Sequence, residues 1–435
     1  MDNKNTPMRV LWFANTPGLS AGHLKVSQAA GGWISALQRA VEAAPECQLG
    51  FVFYTGQAMA PFEYGKTWYY PVQPLGSSKG KRLTNRIAGR AETDENLPAF
   101  LQAVEQFKPD IIHVHGTEFP FGLILREVRK IPVVVSIQGN LTVYREKYFA
   151  GLSLPGFWRG WRTGYPFYGA DYKIWRTRME IEQEILGRTR YVFGRTDWDR
   201  RIARVLAPDA EYFHMDEVIR PGFYGLDWVR GAKGNAVEGP GVRRAASVFF
   251  TTSSPSIYKG FEAIIDTARV LVGNGVAFEW RVAGLKADDP LVRLTLAERR
   301  VDEFAALNIR LLGTLSEEAV ADQLLGSEAY IQVSHIENSP NSVCEAMLAG
   351  VPVIASFAGG TGSLLQDGVH GVLIQDGDPY ALAGAMRELL ERPEKHAAMA
   401  AEARRLAQRR HDPASIVTSM LERYREIIQK NTIHE

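Results

Sequence analysis

The stretch ENSPNSVCE, Glu337 to Glu345, sets two carboxylates on either side of a proline. Two chemistries are open to it. Ser342 followed three residues later by Glu345 fits a capping box, in which the glutamate serves only the start of a helix. Alternatively Ser339 is the N-cap and Pro340 the first helical residue, where a missing N–H costs nothing, and Gly350 closes a helix that ends near Ala349. Free backbone N–H groups over Ser339, Asn341, Ser342 and Val343 then form an anion site suited to a diphosphate. On this reading Glu345 lies in the second turn, about 9 Å along the axis from the cap at 1.5 Å per residue. Glu337 stays in the preceding loop, and both acids can accept hydrogen bonds from sugar hydroxyls.

Other residues of suitable type are scattered along the chain. Lys259, in IYKGF, taken by itself reads as a solvated lysine ahead of a helix. Gly31 and Gly32 open a helix where backbone can approach a phosphate with no Cβ in the way; Gly18, in PGLSAG, is the alternative. His113 and His115 alternate on DIIHVHG and are read as pointing to opposite faces. His115, nearer the strand end, is the ligand candidate, and a buried structural role is the other reading for both. Asp197 and Asp199 in TDWDRR mimic an Asp-X-Asp metal motif, but they open a helix, where acids are favoured anyway. The nine histidines and two cysteines show no ligand spacing, so no metal is expected.

The elements that position these residues follow from periodicity. Short Val/Ile/Phe-rich runs alternate with longer amphipathic ones, the pattern of strand–helix units on parallel sheets. In the first half, strands are expected at RVLWFAN, CQLGFVFY, DIIHVHG, PVVVSIQG and RYVFGRT, with helices over 32–43, 95–107 and 121–129. In the second half, strands at SVFFTTS, EWRVAG, IRLLGT, AYIQVSH, PVIAS and GVLIQ alternate with helices that begin near Gly260, Pro290, Ser316, Pro340 and Pro379. A glycine-rich join lies in RPGFYGLDWVRGAKGNAVEGPGVRR, and a last helix spans Pro413 to Gln429. The ENSP motif thus falls where a strand hands over to a helix, the edge at which such sheets bind ligands.

Composition narrows the class. A chain of 435 residues fits two or three domains, and 50 basic against 49 acidic residues give no hint of a nucleic-acid partner. Only Cys47 and Cys344 occur, and no apolar run approaches the ~18 residues of a membrane span. A cytoplasmic protein is expected, with any membrane contact peripheral, on the inner face. The stretch 145–178 carries seven bases and two acids with Trp158, Trp161 and Trp175 interleaved. That mixture suits a phosphate-bearing acceptor or a headgroup boundary, or an aromatic loop packed on its own domain.

Glu337, seven intervening residues, Glu345, and then AMLAGVPVIASFAGGTGSLLQDGVHGVLI resemble the signature of glycosyltransferase family 4. The resemblance is strongest from about Ser247 to Leu390. In the first half it rests on Pro17-Gly18, Gly31-Gly32, KPDIIHVHG and FGRTDWDRR. It implies the α/β glycosyltransferase B fold, two Rossmann-like doubly wound domains facing across a cleft. Here these are an acceptor-binding domain over 1–222, a nucleotide-sugar-binding domain over 223–412, and a helix over 413–435 that crosses back to the first domain. It further implies retaining, metal-independent transfer from a nucleoside-diphosphate sugar to a glycan or polyprenyl-phosphate-linked acceptor, in bacterial surface polysaccharide synthesis, with no cofactor.

By the same resemblance Glu337, Lys259 and Gln138 serve catalysis, with the lysine offsetting the charge of the leaving diphosphate. Glu345 holds the donor ribose, and Asn341 to Val343 with Ser339 hold the diphosphate. Gly18, Gly31 and Gly32 approach the donor from the other domain, and Ser254, Gly284 and Leu315 lie on donor-contacting loops. His115, Tyr144, Arg145 and Lys147 fall on the acceptor side, next to the basic, aromatic stretch 145–178 whose composition suits a peripheral membrane contact or an aromatic loop packed on its own domain. Two positions depart from the family: Ser254 stands where it often has arginine, and Gln138 where it often has histidine. They motivate the alternative of a sugar-nucleotide binding protein without turnover; a nucleotide-sugar epimerase on the same fold is the other alternative, and it would need an acid–base pair able to titrate across the sugar ring, for which the sequence offers no convincing pair.

Overall fold

The computed structural model describes residues 7–24, 32–74, 84–85, 87–162, 168–229 and 246–433. The chain divides into two compact units. Met1–Arg145, Phe167–Val218 and His411–Glu435 form the first; Glu146–Pro166 and Ile219–Arg410 form the second. Residues 146–166, which lie in the first half of the sequence, are therefore part of the second unit.

The first unit holds an eight-stranded sheet. Its strands are β1 (Met8–Ala14), β2 (Cys47–Tyr54), β3 (Phe62–Tyr64), β4 (Thr67–Val72), β5 (Ile111–His115), β6 (Val133–Ser136), β7 (Tyr191–Gly194) and β8 (Glu211–His214), in the order β3-β4-β2-β1-β5-β6-β7-β8. All neighbours are parallel except β3 with β4. Three strands, β3, β4 and β8, were not anticipated from the sequence. The segment expected as a helix over 121–129 is a 3₁₀ stretch, Pro120–Arg126. The last helix, Pro413–Ile433, buries Ile416, Val417, Met420, Leu421, Tyr424 and Ile427 on this unit's core. That spacing of three and four residues is the apolar stripe of an amphipathic helix.

The second unit holds β9 (Ser247–Thr252), β10 (Phe278–Ala283), β11 (Ile309–Gly313), β12 (Ala329–Gln332), β13 (Val353–Ser356) and β14 (Val372–Ile374), all parallel, in the order β11-β10-β9-β12-β13-β14. Alternate residues serve opposite faces, as the two-residue strand period requires. Phe249, Trp280, Ile331 and Ile354 enter one core; Phe250, Ala283, Tyr330 and Ala355 enter the other. A fully buried side chain of this size is worth about 1.5–3 kcal/mol. Strand order reverses between β9 and β12, and the loops at their carboxyl ends carry Lys259 and Glu337. A doubly wound sheet places its ligand at such a switch point.

Candidate active site

The helix after β12 spans Asn341–Ala349 and is buried from Val343 onward. A helix apolar on all sides must be enclosed by other elements, and this one lies among the apolar side chains of the second core, with Val320, Val353 and Ala403. Pro340 is its N-cap residue, extended at φ −68° and ψ 106°, and makes no side-chain cap. The expected arrangement, with Ser339 capping and Pro340 inside the helix, is thereby shifted by one residue. The Val343 N–H donates to the Pro340 carbonyl at 2.9 Å, so it is spent inside the helix, and Asn341 and Ser342 are the N–H groups that precede the first helical bond. Asn341 also carries a buried Oδ1 with no hydrogen-bond partner. Gly350 closes the helix at φ +77°.

Glu345 does not complete a capping box. It is 4% exposed, and Arg220 Nε donates to its Oε1 at 2.7 Å. Burial raises the glutamate's pKa, Arg220 opposing this and Glu317 adding to it. A buried carboxylate needs such a partner. Glu337 is held from three sides. Lys259 Nζ lies 2.5 Å from Oε1, the Ser334 hydroxyl donates to the same oxygen at 2.7 Å, and the Gly360 N–H donates to the backbone carbonyl at 2.9 Å. Burial, the largest single influence, lowers the pKa of Lys259, but the charge of Glu337, its hydrogen bond to the lysine, and the nearby Tyr258 and Tyr330 together outweigh it and the net shift is upward, so the lysine is a cation at neutral pH. Two glycines make this approach possible. A Cβ on Gly260 (φ +73°) would lie 2.1 Å from the Val333 carbonyl oxygen, and one on Gly359 (φ +55°) 1.9 Å from that of Glu337. The Lys-Gly pair thus has a steric cause: glycine alone brings the lysine's loop against the strand end.

Of the remaining donor-side residues, Gly284 (φ +90°) packs against the Ser253 carbonyl at the end of β10, Ser254 follows β9 half-buried, and Leu315 packs beside the second core. Arg220, Ser334, Gly359 and Gly360 were not singled out from the sequence. Arg220 sits in the RPG of the join, where a lone arginine gives no signal. The AGG run was visible only as part of a signature, without the close approach that explains it.

Of the other expected residues, Lys147 belongs to the second unit and the rest to the first. Gly18 (φ +57°) packs on Gln38, whose Oε1 accepts from the Leu19 N–H at 2.9 Å; Gly32 begins the helix Gly32–Glu42, and Gly31 lies outside the described residues. His113 and His115 share one face of β5, with ring centroids 3.8 Å apart, which corrects the expectation of opposite faces: residues i and i+2 of a strand point the same way. Burial and Arg195 push His113 down to about 3, and it bonds Tyr424 and Ser136. His115 is buried and held neutral, and neither ring nitrogen has a partner. The carboxyl of Glu118 lies against Gly116 and Gly139 and accepts from the Gly139 N–H at 2.9 Å. Burial, then Glu182, raises it to about 7, so it exchanges its proton near neutrality. Tyr144 is buried against Trp175 and Trp198, Arg145 is exposed, and Lys147 forms an ion pair with Asp376 at 3.1 Å. The DWD stretch is a capping box, Thr196 with Asp199.

Residues 246–406 match the family described as glycosyl transferases group 1. The match covers most of the second unit. It contains Lys259, Glu337 and Glu345. D-inositol 3-phosphate glycosyltransferase of Geodermatophilus obscurus is 33% identical over 131 residues, 26% of this chain and 29% of its own. The colanic acid biosynthesis glycosyltransferase WcaL of Salmonella typhimurium, itself described as putative, is 26% identical over 30% of this chain and 32% of its own. The chain thus spans about a third of the length of these relatives. Among solved structures, sucrose-phosphate synthase from Thermosynechococcus elongatus superimposes with a TM-score of 0.72 at 16% identity, over 97% of this chain and 100% of the other. Anabaena HepE, solved with UDP and glucose, gives 0.65 at 16% identity, over 96% and 100%. The fold is that of the B class of glycosyltransferases. Among the described residues no helix is long and apolar enough to cross a membrane.

Proposed function

We propose that this protein is a retaining glycosyltransferase that takes a sugar from a nucleoside-diphosphate donor held by the second unit and passes it to a glycan or lipid-linked acceptor in surface polysaccharide synthesis. The observation that carries this reading is the pair of buried acids, each with its own cation, flanking the start of the helix Asn341–Ala349. The Asn341 and Ser342 N–H groups and the helix dipole face a diphosphate. Glu345, whose Oε1 is taken by Arg220, offers Oε2 to the ribose, and Glu337 accepts from hydroxyls of the sugar. When the glycosidic C–O bond breaks, the electron pair leaves with the diphosphate, and Lys259 and the helix start offset that charge. The acceptor oxygen bonds to the anomeric carbon on the same face, and its proton passes to the departing phosphate oxygen. Positive charge at the leaving group therefore comes from the protein, and turnover is expected to survive a metal chelator. The polysaccharide context draws on the colanic acid biosynthesis relative, and a uridine donor on the HepE structure with UDP and glucose.

The test is a thermal-shift panel of uridine, guanosine and adenosine diphosphates with and without their sugars. A cognate ligand at a hundred times its Kd stabilises the fold by about 2.7 kcal/mol. Uridine diphosphate is expected to give the largest shift, and Glu345→Gln to weaken it about ten- to a hundredfold, the range for one hydrogen bond to a charged group. If no nucleoside diphosphate raises the melting temperature, the reading fails.

A further inference from the structure

Beside the Lys259–Glu337 pair runs a second line of charges, all in the second unit. Lys147 Nζ donates to Asp376 Oδ2 at 3.1 Å, His335 Nδ1 lies 3.3 Å from the same oxygen, and His335 Nε2 lies 2.5 Å from Glu262 Oε1. Both ring nitrogens thus face carboxylates. An ionised carboxylate only accepts hydrogen bonds and a neutral imidazole has a single donor, so the doubly protonated ring alone satisfies both contacts. His335 and Glu262 are 5% and 7% exposed, which shuts out the water that would otherwise screen or replace either bond. The groups facing the ring are Glu262, from the helix Phe261–Gly273, and Asp376, after β14, with Lys147 balancing Asp376. Burial lowers the proton affinity of the ring, and Glu262 and Asp376 raise it further than burial lowers it.

This ring stands two residues before Glu337. The His335 backbone N–H donates to the Tyr258 carbonyl at 2.8 Å, so the loop after β12 is braced three times against the loop after β9 and the helix that follows it, by that bond, by His335 with Glu262, and by Glu337 with Lys259. Close backbone makes room for the brace at Gly151, where a Cβ would lie 2.1 Å from Glu262 Oε1. We propose that His335 is a positioning residue that works as an imidazolium, tying Glu262 and Asp376 to the loop that ends in Glu337 and so fixing the carboxylate against Lys259. The assignment rests on the donor-site reading above. Its pH consequence follows from linkage: the brace is fully formed below the ordinary histidine pKa and is lost as pH rises through the elevated one.

The first measurement needs no ligand. The Cε1–H resonance of His335, assigned by its absence in His335→Gln, is followed against pH in the free protein. A midpoint above about 6.5 that falls in Glu262→Gln is expected, and a midpoint at or below that value overturns the proposal while leaving the donor site untouched. The second uses whichever donor the panel identifies, with nucleoside diphosphate release as readout. His335→Gln is expected to lower kcat about tenfold or more, to leave nucleoside diphosphate affinity within about twofold, and to abolish the alkaline decline of kcat. Unchanged kcat, or an alkaline limb retained in the variant, overturns the positioning role. If His335→Gln does not fold, Glu262→Gln keeps the ring and carries the same comparison.

Discussion

Lys259→Met is expected to reduce turnover of the donor by about a hundred- to a thousandfold, the range found when one donor to a developing oxyanion is removed. It will also destabilise the protein, because Glu337 is left enclosed with only the Ser334 hydroxyl on Oε1. Breaking a fully buried pair costs about 3–5 kcal/mol; the lysine side chain is 25% exposed, which argues for a smaller loss, about 2–3 kcal/mol. Two effects in one variant need separating. The double variant Lys259→Met/Glu337→Gln removes the stranded charge and keeps an oxygen for Ser334, so its denaturation midpoint should return most of the way to that of the parent. Its turnover should not return. If activity recovers together with stability, the pair is a structural brace and the chemistry lies elsewhere.

That separation matters because the sequence made the acids and Lys259 visible but hid Arg220 and which cation pairs with which acid. The alternation of strands and helices was legible because parallel strands buried on both faces read as continuous apolar runs, and all six strands of the second unit lie where periodicity put them. The strands that escaped are weakly marked. β8, EYFH, has four residues of which one is buried. β4 contains Pro71, tolerated because β3 pairs only with Thr67 to Tyr69 and leaves the outer side of Pro71 without a partner strand. At the site, Glu337 and Glu345 could be found by local spacing, whereas Lys259 is 78 residues from its acid and Arg220 is 125 from its own. Local rules also misplaced the helix start by one residue, since proline fits both the N-cap position and the first turn. The histidine brace had no sequence signal, for its four members come from Lys147, Glu262, His335 and Asp376, joined only by the fold.

Backbone geometry, unlike the ion pairs, can be tested one atom at a time. Gly359 and Gly368 both have positive φ, +55° and +71°, but a Cβ on Gly359 would lie 1.9 Å from the Glu337 carbonyl oxygen, while one on Gly368 would meet nothing within 4 Å. Alanine in the left-handed region costs about 1–2 kcal/mol at either position. Gly368→Ala should lose only that. Gly359→Ala must in addition push the Glu337 carbonyl away, an overlap worth about a further 1–3 kcal/mol, and it strains the Gly360 N–H bond to the same oxygen. The difference between the two midpoints in guanidinium therefore reads the steric term alone. Activity should divide them more sharply, since a displacement of about 1 Å at a group that orients substrate can cost on the order of a hundredfold. Gly368→Ala should turn over donor like the parent, and Gly359→Ala should fall by about that factor with nucleoside diphosphate affinity nearly intact. Equal losses of stability with turnover preserved in both would mean that the glycine run does not hold Glu337, and the steric account of the AGG sequence would have to be abandoned.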